Sequence, residues 1–85
     1  MADGRTTLPT VMKIGSIKIY VYADDHNPPH VHVLHADCSA VIEIETGTVV
    51  KHRGFKASEL KILVRTISAN KEALLAAWES LNEDE

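Results

Sequence analysis

The stretch His26-Asn27-Pro28-Pro29-His30-Val31-His32-Val33 decides how the rest of the chain is read. Adjacent prolines fix φ and remove backbone donors, so this segment cannot be helical and is poorly suited to the interior of a sheet. It reads as a rigid turn, with Asp24 and Asp25 immediately before it. Beyond it, His30 and His32 fall in an alternating run, and strand residues two apart project from the same face. Both imidazoles are therefore expected on one surface beside a stiff loop.

Towards the N-terminus, residues 11–14 read as a short strand, Gly15-Ser16 as a tight hairpin turn and residues 17–23 as the returning strand. In that strand Ile17, Ile19 and Val21 alternate with Lys18, Tyr20 and Tyr22, so the aliphatic set is expected in the core. Residues 1–8 are polar and without period, which predicts a flexible leader before a single domain over residues 9–85 with an acidic C-terminal end.

Towards the C-terminus, Ala36-Asp37 should turn the third strand into a fourth over residues 38–45. Pairing Val33 with Ala40 and Val31 with Ile42 keeps aliphatics on one face, and sets His30 opposite Glu43 and His32 opposite Val41. The polar face then carries Tyr20, Tyr22, His30, His32 and Glu43, with Glu45 a further candidate. Thr46-Gly47 reads as a turn into a short fifth strand over 48–51, after which His52-Arg53-Gly54-Phe55 leads into helical structure. From Ser58 onward Leu60, Val64, Ile67, Leu74, Trp78 and Leu81 recur on one helical face. A continuous helix of about 25 residues would be about 37 Å long and would overhang strands of about 20 Å. A break near Asn70 is the expectation, with Asn70 capping the second segment and Ser58 the first. Trp78 is then a core or partner-binding anchor. The predicted fold is α+β, an antiparallel sheet of four to five strands packed on one side by one broken helix or two consecutive helices.

Composition fits this reading: 85 residues with 45% apolar content suit one globular domain. A single cysteine, Cys38, excludes an internal disulfide, and no run approaches the roughly 20 apolar residues of a membrane span. A cytoplasmic protein is expected. The net charge of −3 excludes a strongly basic nucleic-acid binder, yet Lys51, Arg53, Lys56, Lys61 and Arg65 make the middle of the chain basic.

The order of Tyr20-x-Tyr22, Asp25-His26-Asn27-Pro28-Pro29-His30-Val31-His32-Val33, Arg53-Gly54-Phe55 and a leucine-rich end with Trp78 resembles the small bacterial family known as domain of unknown function 4160. The resemblance spans about residues 9–82, and its characteristic positions here are Asp25, His26, Pro28, Pro29, His30, His32, Gly54 and Phe55. It implies a toxin-like component of a toxin and antitoxin module, because members often lie beside a gene of the domain of unknown function 2442 type, the expected small partner protein. Lys56 departs from the pattern, since the family often has there a serine able to cap the following helix.

Two chemistries suit the histidine motif. His26, His30 and His32 could hold a divalent metal such as zinc, with Asp24 or Asp25 adding an oxygen. Alternatively His30 and His32 act as acid and base in RNA cleavage, with Glu43 or Asp25 orienting one of them, Lys51 or Arg53 on phosphate, and Tyr20 or Tyr22 stacking a base. A non-catalytic module that buries Trp78 against a partner is the third reading, and the residues leave monomer and homodimer open.

Overall fold

The computed structural model describes residues 10–22 and 28–82. The leader, Asp24, Asp25, His26 and the last three residues therefore lie outside the described residues. Five strands, β1 (Thr10–Ile14), β2 (Ile17–Tyr20), β3 (His30–His35), β4 (Cys38–Glu43) and β5 (Val49–Arg53), form one antiparallel sheet in chain order. Two helices follow, α1 (Ala57–Ala69) and α2 (Lys71–Asn82).

Turn chemistry sets the register. Ile14 pairs with Ile17 across Gly15-Ser16, and Gly15 supplies the positive φ of 60° that a two-residue hairpin needs at its first central position. Ala36 does the same work between His35 and Cys38 with φ 53°, where a Cβ is unfavourable. The β3–β4 register has His30 opposite Glu43, Val31 opposite Ile42, His32 opposite Val41 and Val33 opposite Ala40, as the alternation predicts. Pro29 extends this ladder by its carbonyl, which accepts the Ile44 N–H at 3.0 Å. A proline at a strand start needs no donor of its own.

Ile19, Val21, Val31, Val33, Ala40 and Ile42 are buried on one side of the sheet and share a core with Leu63, Ile67, Leu74 and Trp78. Full burial of an aliphatic side chain contributes about 1.5–3 kcal/mol, so this layer dominates the stability of so small a domain. The buried helical stripe runs through Leu63 and Ile67, whereas Leu60 and Val64, expected on the core face, are only half-buried.

Helix α1 begins two residues earlier than a Ser58 cap would allow. Lys56 is the N-cap residue with extended backbone, and Glu59 Oε1 accepts its N–H at 2.8 Å. That glutamate half of a capping box supplies an N-terminal restraint where the family pattern has a serine. Asn70 does interrupt the helix, with φ −115° and ψ 23°. Its side chain, however, donates to the Thr66 carbonyl at 2.8 Å, so it closes α1 and does not cap α2. The backbone bonds of the helix continue on both sides: Asn70 N–H donates to Thr66 O at 3.1 Å and Leu74 N–H to Asn70 O at 3.0 Å.

The fifth strand runs two residues beyond its expected end and includes Arg53. Val41 faces Lys51 while Ile42 faces Val49, so Val50 is an unopposed bulge residue. Gly54 ends the strand with φ 87°, and a Cβ there would stand 2.8 Å from Cys38 Sγ.

Two glycine exchanges of opposite sign test this backbone account. Ala36→Gly should raise unfolding stability by about 0.5–1 kcal/mol, because the positive φ is relieved. Gly54→Ala should lower it by about 1–3 kcal/mol through strain and the clash with Cys38. Urea midpoints of the two variants against wild type decide both.

Candidate functional site on the polar face of the sheet

Alternation along β2 and β3 places Tyr20, Tyr22, His30 and His32 on the side opposite Val21, Val31 and Val33. All four are half-buried, as expected for rings packed edge to edge on a sheet. They form one continuous ladder. Tyr20 stacks on Tyr22 with centroids 6.0 Å apart and planes 15° apart. Tyr22 lies 4.3 Å from His32, which lies 5.1 Å from His30. On the other side of His30 stands the Trp78 indole, 5.2 Å away. These separations are those at which aromatic pairs attract beyond simple burial.

His30 is held by its own turn. Its Nδ1 lies 2.8 Å from the Pro28 carbonyl oxygen. A carbonyl can only accept, so in the neutral ring Nδ1 carries the proton and Nε2 the lone pair. That tautomer offers Nε2 as a proton acceptor or a metal ligand.

Glu43 has a different role from the one expected. It faces His30 across the ladder, but its Oε1 accepts the Thr46 hydroxyl at 2.8 Å, and Thr46 Oγ1 in turn accepts the Thr48 N–H at 3.1 Å. The carboxylate braces the β4–β5 turn, and the Pro28 carbonyl orients the imidazole in its place. Trp78 takes the core place, one of its two expected roles: only 5% of it is exposed, and its ring stands beside His30.

The register brings the cations to the same face. Tyr20, His32, Val41 and Lys51 lie in one row across β2 to β5. Lys13, Lys18, Leu34, Ser39 and Arg53 make the neighbouring row. Lys51 and Arg53 were expected as anion contacts, whereas Lys18 and its pairing partner Lys13 were not. Their signal was the alternation itself, which puts Lys18 in phase with Tyr20. The face thus combines a ring ladder with four cations, Lys13, Lys18, Lys51 and Arg53, all exposed.

Among the described residues no group of three or more His, Cys, Asp or Glu side chains could hold a metal ion. His30 and His32 are adjacent, and His26, the third proposed ligand, lies outside the described residues together with Asp25. Pro28 and Pro29 contribute through their carbonyls. Cys38 is a half-buried free thiol beside Gly54, away from the ladder.

Fold and face together define a small α+β domain that presents aromatic and imidazole rings from an antiparallel sheet. The chain belongs to the family described as Domain of unknown function (DUF4160), whose model matches residues 16–79. No curated protein and no solved structure matches it. No helix among the described residues is long and apolar enough to cross a membrane.

The geometry predicts a measurable proton position. Long-range ¹H–¹⁵N spectra should show neutral His30 protonated on Nδ1, and Glu43→Gln should leave that tautomer unchanged. An Nε2–H form in wild type, or a switch in the variant, would contradict the assignment of the Pro28 carbonyl as the orienting group.

Proposed function

We propose that this chain is an RNA-acting, toxin-like component of a two-component bacterial module, using the sheet face as its single-strand platform. The observation that carries the RNA reading is the unbroken ladder Tyr20, Tyr22, His32, His30 beside Lys51 and Arg53. Single strands bind where bases can stack on rings and a cationic surface follows the backbone. The toxin-like role rests on the family resemblance.

Neutral His30, with its lone pair on Nε2, takes the proton of a ribose 2′-hydroxyl. The 2′-oxygen attacks the adjacent phosphorus, the bond from phosphorus to the 5′-oxygen breaks, and His32 as imidazolium gives a proton to that leaving oxygen. The products are a 2′,3′-cyclic phosphate and a free 5′-hydroxyl. Lys51 and Arg53 neutralise the phosphate as negative charge builds. Tyr22, in contact with His32, stacks the base next to the reacting linkage.

Binding and cleavage of a labelled single-stranded RNA separate these roles. Tyr22→Ala should weaken binding by about 1–3 kcal/mol, and Lys51→Ala with Arg53→Ala should flatten the salt dependence. His30→Ala should slow cleavage about 10²–10⁴-fold while binding stays within a few-fold. Cleavage that persists undiminished in both single histidine variants would sink the mechanism.

A second reading has one observation behind it. A histidine whose Nδ1–H is held by a carbonyl is also the arrangement found behind metal ligands, which would place a divalent ion such as zinc on His30 Nε2 with His32 beside it. Metal analysis of purified protein decides this: stoichiometric metal in wild type and none in the His30→Ala, His32→Ala double variant would favour the metal site, and metal-free wild type would remove it.

A further inference from the structure

Strand β5 ends the sheet, and among the described residues no strand pairs with its outer edge. Such an edge presents a row of N–H and C=O groups that another strand can complete. Helix α1 returns alongside it: Val64 Cγ1 lies 3.0 Å from the position a Cβ on Gly47, in the β4–β5 turn, would occupy. Beside the edge is an open groove lined by Val49, Ala57, Leu60 and Val64 and rimmed by Lys61 and Arg65, and no carboxylate lines it. Leu60 and Val64 are half-buried for this reason, since their outer sides line the groove. The bulge residue Val50 is 54% exposed.

We propose that this edge and groove receive an extended segment of a second protein, alternating aliphatic and acidic side chains, which adds to β5 as a sixth strand. The dimensions agree. Five residues of strand extend about 17 Å, and the stretch of α1 that lines the groove, from Ala57 to Ala69, rises about 18 Å. The alternation follows from the two sides of the entering strand. Its groove side meets Leu60 and Val64 and so is aliphatic, and its other side lies beside Lys51 and Arg53 and so is acidic. Lys61 and Arg65 add positive charge at the groove rim.

Charge selects this occupant over a second copy of the chain. Antiparallel pairing of β5 with itself in full overlap would set Lys51 against Lys51, a register centred on His52 would set Lys51 against Arg53, and β5 has no acidic residue to offset them. Like charges across a strand pair are destabilising, and lysine on an edge is a common guard against self-pairing. Strand addition of this kind derives affinity from main-chain bonds and selectivity from alternate side chains. It shares Lys51 and Arg53 with the RNA reading but stands without it, because the edge backbone and the α1 groove take no part in RNA binding.

The test uses the full ¹⁵N-labelled chain and a short synthetic peptide alternating valine and glutamate, with a control peptide in which proline replaces the glutamates. The expected result is saturable shifts and slowed hydrogen exchange confined to β5 amides, with methyl shifts at Leu60 and Val64 and no response to the proline control. Lys61→Glu with Arg65→Glu, both exposed and away from the ring ladder, should weaken binding about tenfold. No saturable shift up to about 1 mM peptide overturns the proposal, as does binding that the charge reversal leaves intact. A dimer by sedimentation that protects β5 would assign the edge to a second copy and overturn it equally.

Discussion

Pro28 and Pro29 carry carbonyl acceptors and no N–H, and β3 and β4 use both acceptors. One takes His30 Nδ1–H at 2.8 Å and the other takes the Ile44 N–H at 3.0 Å. The same rigid pair therefore starts the central β-ladder and sets the rotation and tautomer of the imidazole that heads it. The proline rings stiffen the dipeptide that carries these acceptors, so the turn itself holds the His30 ring at Nδ1. From that fixed ring the ladder extends to His32 and the tyrosines in one direction and to Trp78 in the other.

The other end of the sheet shows how irregularity serves placement. A regular β5 would continue the phase from Val49 and send Lys51 to the core side of the sheet, where Ile42 and Ala40 lie. The unopposed Val50 shifts the phase by one residue, so Lys51 faces Val41 and Arg53 faces Ser39 on the polar side. Without the bulge the ring ladder would lose both of these cations to the helix side.

Much of this was legible because its causes are local. The β3–β4 register follows from alternation between His30 and Val33, a two-residue turn at Ala36-Asp37, and aliphatics at Ala40 and Ile42, so His30 falls opposite Glu43 in sequence and structure alike. What Glu43 binds was not legible, because the competing partner, Thr46, comes from a turn whose conformation the strand pattern does not encode. The bulge escaped for a related reason: Val49 and Val50 are equivalent as sequence, and only packing decides which one turns outward. The helical stripe was misplaced by one position, since Leu60, Leu63, Val64 and Ile67 all suit an apolar face and the groove beside β5 claims Leu60 and Val64. At Asn70 composition showed the break but not its direction, because an amide side chain can serve either helix end.

The position of Trp78 gives the molecule an optical property. It is the only tryptophan in the chain, and its indole lies 5.2 Å from the His30 ring. An imidazolium withdraws electron density from a neighbouring excited indole more effectively than a neutral imidazole does, so emission intensity falls when His30 takes up a proton. A group bound at Nε2 changes the same contact. Trp78 thus serves as a fluorophore built into the floor of the ladder, and it reads the state of His30 without a label.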